Sequence, residues 1–488
     1  MRFRGRTVIA IMACTALLAC LATIGYLDAA GKTNRTSSSA GAAADSGGLR
    51  PDELEKLNRT IALIEGEYRL SVDRDELIDG AIRGMVEALG DPYSVYMTGD
   101  EAAKFTDAVE GTFTGIGARL GIEDGEVVVR QVMEGTPADR AGLQAEDILL
   151  SVNGNALQGL SLGDAIAQIR GPKGTKAKLR VERPGAEQML ELELIRDLIM
   201  EETAIGKLGE DGVGKLKITR FSFDTAEKAS QALREMEDQG MRALVLDLRN
   251  NPGGVMPSAL GVAELFVPQG KPIVISEDKN GVRTTERSNG SLTAAKAYPI
   301  LVLIDKGSAS AAEIVAGALK HSAGAALLGE TTYGKGTVQI SFEKGLDDGS
   351  LVKLTVSKWL LPDGSWIDDR GIVPDVSVSQ PAYFGASRLP RDKVLKPDET
   401  GDDVRNLQLM LEGAGFPADR ADGYFSSATE EALKSFQRHA GLPETGIADE
   451  RTAERLEEEF YRALQNPEFD AQWVAARDIL LKMEEKSG

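Results

Sequence analysis

The sequence predicts a multidomain α+β protein. A helical segment and a small β-rich module precede an α/β core, and a three-helix module follows it. Three observations carry this. At 488 residues the chain is too long for one hydrophobic core. The spacing of its apolar residues changes from helical to strand-like, then to strand-helix-strand alternation, then back to helical. Two stretches rich in small, charged or proline residues, 28–50 and 387–400, fall between the periodic ones, as linkers do.

Composition narrows the function. An apolar fraction of 42% and a charged fraction of 27% are those of ordinary globular material. The net charge of -20, with no basic stripe beyond the first few residues, excludes a nucleic-acid partner, because phosphate binding needs clustered Lys and Arg. The two cysteines, Cys14 and Cys20, both sit in an apolar N-terminal run, so no disulfide framework is available to the rest of the chain.

Residues 1–27 read as a cytoplasmic tip and a transmembrane signal-anchor. Arg2, Arg4 and Arg6 precede residues 7–27, a run of 21 without a charge. As a helix this run spans about 30 Å, enough to cross a bilayer, and the leading arginines keep the N-terminus in the cytoplasm. A cleaved signal peptide and a lipidation site at Cys20 are the alternatives; all three place the remaining chain outside the cytoplasm. Residues 28–50 form a flexible linker. In 51–110, Leu54, Leu57, Ile61 and Ile64, and then Leu77, Ala81 and Met85, recur at helical steps, broken by Gly-Asp-Pro-Tyr-Ser at 90–94.

The 111–197 module changes character. Residues 127–129 and 147–152 read as strands, Asn153-Gly154 as a tight turn, 161–169 as a short helix and 176–182 as a half-buried strand. In 198–386 a strand over 215–223 leads into a helix with Asp224 and Glu227 as a capping box. Residues 243–248 and 300–304 are short continuous apolar runs, the pattern of strands covered on both faces. Beyond the 387–400 linker, 401–457 holds three amphipathic helices lined by Val404, Leu407 and Leu411, by Leu433, Phe436 and Ala440, and by Ala453, Leu456 and Phe460. Residues 458–488 form a helical tail.

The chain has only two histidines, His321 and His439, so hydrolytic chemistry through a Ser-His-Asp or Cys-His set would have little to draw on. A serine activated by a lysine needs neither. Ser310, in Gly-Ser-Ala-Ser-Ala-Ala-Glu at 307–313, follows a strand and opens a helix, where free N–H groups and the positive end of the dipole suit an oxyanion. The same segment also fits a plain helix cap. Lys335, in Gly-Lys-Gly-Thr-Val-Gln at 334–339, has small neighbours; burial away from anions would lower its pKa and supply a neutral amine as base. An exposed lysine in a Gly-rich hairpin has the same sequence. Gln339 falls on the face of Lys335 and can orient the amine without adding charge. Gly253 and Gly254 close the loop after 243–248, where a backbone N–H can face a reaction centre.

These segments, in this order, resemble the carboxy-terminal processing peptidases, or tail-specific proteases, over residues 51–378. The resemblance implies a crotonase-like serine peptidase core with an inserted PDZ domain. It places Ser310 as nucleophile, Lys335 as general base and Gln339 as the residue that positions the lysine. The oxyanion hole then comes from Gly253 or Gly254 with the N–H of Ala311. The 370–376 segment matches a family element near the end of the core. The 111–197 module resembles a PDZ domain, with Phe113, Thr114, Gly115, Ile116 and Gly117 as the loop that holds a substrate's terminal carboxylate. Arg170 then couples tail capture to the peptidase; as a sequence feature alone it also reads as a surface charge. The 401–457 module resembles small peptidoglycan-binding domains through Asp422-Gly423-Tyr424-Phe425 and Phe436-Gln437, with Ser426 where that family has glycine; such modules bind either cell wall or protein. The expectation is a serine endopeptidase, anchored by a single span in a bacterial cell membrane with its catalytic part extracytoplasmic. It captures C-terminal tails of protein substrates and needs no cofactor or metal; relatives often assemble into homo-oligomers, but the sequence leaves the oligomeric state open. A PDZ and wall-binding scaffold with a non-essential peptidase core is the alternative, and a peptidase using His321 a second.

Overall fold

The computed structural model describes residues 48–487, apart from 124, 185–187, 291–295, 344–345, 347 and 392. The anchor expected at 7–27 lies outside the described residues; among those described, no helix is long and apolar enough to cross a membrane. The chain divides into two units. The first, up to Ile78, holds helix Pro51–Glu67, which buries none of its residues, and the start of helix Arg74–Glu87.

The second unit is built on a six-stranded sheet. Its order is Ala204–Leu208, Val213–Ile218, Ala243–Asp247, Ile300–Ile304, Ala326–Gly329, Val376–Ser377, parallel after the first hairpin. All five residues of Ala243–Asp247 are buried, as the continuous apolar run predicts. On one face Leu233 and Met236 of helix Thr225–Asp238, Val262 of Met256–Glu264 and Val315 of Ala311–Ala318 close the main core. On the other face helix Ala471–Ser487 lays Ala476 and Leu480 against Val245, Leu301, Leu303 and Leu328. The stretch expected to be a tail is therefore a layer of the core: a parallel sheet with two apolar faces needs a cover on each.

A second sheet joins Val95–Met97, Leu351–Leu360, Pro272–Asp278 and Arg283–Arg287, with Thr337–Phe342 also pairing Leu351–Leu360. Val95–Met97 precedes the β-rich module, so the segment read as helices with a break at 90–94 also gives a strand to the core, and the module is an insertion after it. A two-stranded neck, Thr112–Gly115 against Asp197–Met200, carries the chain out and back. The module has its own core and a sheet ordered Ala118–Glu123, Glu126–Val132, Ile148–Val152, Lys176–Glu182, Leu190–Ile195, with Ala118–Glu123 at the edge. Asn153 and Gly154 turn with φ of 50° and 87°, as a tight hairpin requires.

Four local expectations differ. Asp224 caps helix Thr225–Asp238, but its carboxylate turns to Lys228 and to the Ser222 hydroxyl, so no capping box forms. The strand expected over 215–223 ends at Ile218. The helix opened by Ser310 passes into a wider turn, Leu319–Ala323. In the 387–400 stretch Leu389 and Leu395 are buried in the three-helix module, Leu395 pairs with Ala448, and Arg391 bridges Glu457, so this stretch belongs to that module.

Candidate active site

Ser310 sits where the buried strand Ile300–Ile304 delivers the chain to helix Ala311–Ala318. The Ser308 hydroxyl donates to the Leu248 carbonyl at 2.9 Å, fixing this turn to the end of the neighbouring strand. Ser310 has φ 55° and ψ -115°, a conformation that costs a non-glycine residue about 1–3 kcal/mol. It is held there by Glu313, whose Oε2 accepts from the Ser310 N–H at 2.7 Å.

Glu313 does more than this. The same Oε2 accepts from the Lys335 N–H at 2.9 Å, and Oε1 accepts from the Gly334 N–H at 2.7 Å and the Thr332 hydroxyl at 2.6 Å. One fully buried carboxylate thus joins the serine turn to the lysine loop. Burial pushes its pKa up, while the donors pull the other way. Four donors occupy all four lone-pair sites of a carboxylate.

The lysine loop is fixed on its outer side as well. Trp359 Nε1 donates to the Lys335 carbonyl, Trp366 Nε1 donates to the Gly336 carbonyl, both at 3.0 Å, and the Gly336 N–H donates to Asp368 at 2.8 Å. The Lys335 side chain is half-buried. Burial, and then the nearby charge of Lys353, lower its pKa; Asp91 and Glu313 oppose them. Its Nζ lies 4.5 Å from the centroid of the Tyr93 ring. Gln339 Nε2 donates to the hydroxyls of Thr337 at 2.9 Å and Thr355 at 3.1 Å. Among the described residues no hydrogen bond joins the Lys335 amine to Ser310 or to Gln339 in this state.

The Gly-Gly loop faces the serine. A Cβ on Gly253 would lie 2.9 Å from Ser310 Cβ and 3.0 Å from Ala311 N; one on Gly254, at φ 145°, would lie 2.0 Å from the Phe221 carbonyl oxygen. The Gly253 N–H is engaged, donating to Asn251 Oδ1 at 2.9 Å, and Asn251 Nδ2 donates in turn to the Ile218 carbonyl. Among the described residues the N–H groups of Gly254 and Ala311 have no acceptor. Below the loop, Arg249 forks onto both Asp247 and Asp470. Burial raises the Asp470 carboxyl, but Arg249 outweighs it and brings the pKa down to about 2.

The tail-binding residues named from sequence line a groove of about 540 Å³ between the edge strand Ala118–Glu123 and helix Leu162–Ile169. Phe113, Gly115, Ile116 and Gly117 border it with Ile166 and Ile169, and the N–H groups of Ile116 and Gly117 have no acceptor among the described residues. Thr114 faces away from it, toward Asp107. Arg170 stands at the groove's end, 4.9 Å from the Phe113 ring centroid, and Ile205, Lys217 and Thr219 of the peptidase core close the same groove. His321 lies in the Leu319–Ala323 turn with Asp363 3.8 Å away, and among the described residues no hydrogen bond links it to Ser310.

Sequence reasoning assigned no role to Glu313, Asn251, Asp91 or Tyr93. A signal existed for Glu313, since a carboxylate three residues after a helix-opening serine is a capping-box pattern. Asn251 also had a local signal, since an Asn two residues before a turn glycine can accept from its N–H; Asp91 and Tyr93 reach the site through tertiary packing.

The region holding Ser310, Lys335 and the Gly-Gly loop matches peptidase family S41 over residues 212–378. The inserted module matches a PDZ domain at 128–183, the three-helix module a putative peptidoglycan binding domain at 400–456, and residues 17–101 the activating protease CtpB N-terminal domain. The carboxy-terminal processing protease CtpB of Bacillus subtilis is 40% identical over 430 residues, 88% of this chain and 89% of that protein. CtpA of the same organism is 39% identical over 88% and 91%. A solved photosystem II D1 C-terminal processing protease shares 31% identity over 67% of this chain and 86% of that one, with a TM-score of 0.41. This chain belongs to the carboxy-terminal processing proteases of peptidase family S41, and is a serine-type peptidase.

Proposed function

We propose that this protein is an endopeptidase that holds the free C-terminus of a protein substrate in its PDZ groove and cuts upstream of it by Ser/Lys catalysis. Ser310 attacks the scissile carbonyl while Lys335, as a neutral amine, takes its proton. The proton then passes to the leaving amine, and water hydrolyses the acyl-enzyme with Lys335 again as base. The N–H groups of Gly254 and Ala311 receive the oxyanion; Gly253 gives the close approach, its own N–H being spent on Asn251. With its amide nitrogen tied to two hydroxyls, Gln339 has its carbonyl oxygen left to orient the amine. The carrying observation is the Glu313 carboxylate, which ties the backbone of the nucleophile to the backbone of a lysine whose pKa burial lowers.

Tail capture rests on the unpaired edge strand, the free N–H groups of Ile116 and Gly117 for the carboxylate, and Ile166 and Ile169 for an apolar terminal side chain. Arg170, between this groove and the core, is the residue we assign to coupling. In the same reading the core is crotonase-like, residues 7–27 anchor the protein in a bacterial cell membrane with the catalytic part outside, and the 401–457 module holds it near the wall.

The test uses a peptide with a free apolar C-terminus. Ser310→Ala and Lys335→Met should each abolish cleavage while leaving peptide binding and the thermal melt unchanged. Retained cleavage in Lys335→Met would sink the mechanism; an unchanged cellular phenotype in Ser310→Ala would favour a scaffold.

A further inference from the structure

Tyr93 is brought to the site by a turn built for that purpose, yet the chemistry above does not use it. The Tyr93 N–H donates to Asp91 Oδ1 at 3.1 Å and the Ser94 hydroxyl donates to Asp91 Oδ2 at 2.5 Å. The Thr355 N–H then donates to Ser94 Oγ at 3.0 Å, pinning the turn onto strand Leu351–Leu360. That strand also carries Thr355, which holds Gln339, and Lys353, which faces Lys335. The Tyr93 ring is left against the lysine amine, 4.5 Å from Nζ to centroid. Burial and the neighbouring Tyr333 hydroxyl push the Tyr93 phenol up to about 12, so the ring stays neutral.

We propose that Tyr93 is a positioning residue for the Lys335 amine: its ring face seats the charged amine and lets the neutral amine go to Ser310. The inference rests on the Ser/Lys reading. The physics is the selectivity of the contact. An ammonium is drawn to the negative face of an aromatic ring, whereas a neutral amine is not. The seat therefore sorts the two protonation states by position. A protonated lysine, useless as a base, is parked on Tyr93. Once it loses its proton, nothing holds it there, and the Ser310 hydroxyl and the Gln339 carbonyl become its partners. The groups that set this balance are Lys353, which repels the charged amine, Asp91 and Glu313, which attract it, and Tyr333, Asp368 and Asp369, which face the ring.

The full-length protein tests this in two measurements. The first is the pH profile of kcat/KM on the free-tail peptide for wild type, Tyr93→Phe, Tyr93→Leu and Tyr93→Met. The second, in a Ser310→Ala background, is the pH dependence of Lys335 acetylation by acetic anhydride, read by mass spectrometry. Removing the ring should shift the rising limb and the acetylation midpoint to lower pH by about 0.5–1 unit in Tyr93→Leu and Tyr93→Met. Tyr93→Phe, which keeps the ring and loses only the hydroxyl, should stay with wild type. If the midpoint stays put or rises in both ring-less variants, the proposal fails; it fails equally if Tyr93→Phe moves as far as Tyr93→Leu. A residue that merely packed would lower kcat and leave both midpoints in place. Cleavage surviving in Lys335→Met would refute the Ser/Lys reading and with it the delivery of the amine to Ser310, whereas the acetylation arm needs no catalysis and reports by itself whether the ring seats the charged amine.

Discussion

Glu313 and Lys353 set the conditions under which Lys335 works. The Glu313 carboxylate accepts from four donors on two loops, so no isosteric replacement serves it. In either orientation Glu313→Gln would turn an NH₂ group toward at least one N–H donor, Gly334 alone or Ser310 and Lys335 together, leaving buried polar groups unpaired at about 1–3 kcal/mol each. The melt should fall by several degrees, and kcat/KM should fall further than stability explains because both loops lose their common anchor. Near-wild-type turnover would show the clamp is dispensable. Lys353 acts through charge. It lowers the Lys335 pKa by disfavouring the protonated amine, so Lys353→Met should raise that pKa and move the rising limb of the pH profile to higher pH. A limb that moved to lower pH would contradict this sign.

At the scale of elements, the Gly-Gly loop shows how a short segment is held to one conformation. Gly254 has no room for a side chain: a Cβ would overlap the Phe221 carbonyl, and φ of 145° is a conformation L-residues rarely adopt. Gly254→Ala must therefore displace the loop and the N–H assigned to the oxyanion. Turnover should drop about 10²–10³-fold, while the peptide's affinity for the PDZ groove should fall much less, because the residues assigned to holding the tail, Ile116, Gly117, Ile166 and Ile169, belong to the inserted module. Equal losses of turnover and affinity would argue against the assignment. Elements with strong local signals were readable from sequence. These include the alternating strand Lys176–Glu182, the Asn153-Gly154 turn, the buried run Ala243–Asp247, and the helix begun by Ser161, whose hydroxyl accepts from the Asp164 N–H. Ser310 and Lys335 could be named because small residues flank them in recognisable order. The free N–H that distinguishes Gly254 from Gly253 could not, since it depends on which one the Asn251 side chain satisfies.

For the whole molecule, the C-terminal helix settles what the tail is for. In sequence, 458–488 carries only a helical pattern, and no local rule links it to a sheet whose strands lie far earlier in the chain. In the structure Ala476 and Leu480 are fully buried against that sheet, Lys215 stands 4.9 Å from the Trp473 ring centroid, and Arg249 joins Asp470 to Asp247 at the foot of the Gly-Gly loop. The three-helix module is thus threaded between two parts of one core, and removing everything after residue 400 would take a layer of the peptidase with it. Val245, Leu301, Leu303 and Leu328 would be left facing water, so the truncated chain should aggregate or lose its cooperative melt. The milder Leu480→Ala should cost about 2–5 kcal/mol by the cavity it leaves. A third variant separates stability from the site. Asp470→Asn keeps the helix but weakens the Arg249 fork, so it should lower turnover more than it lowers the melting temperature. If the chain ending at residue 400 melted like the intact protein and cleaved the free-tail peptide at the same rate, the helix would be an appendage after all.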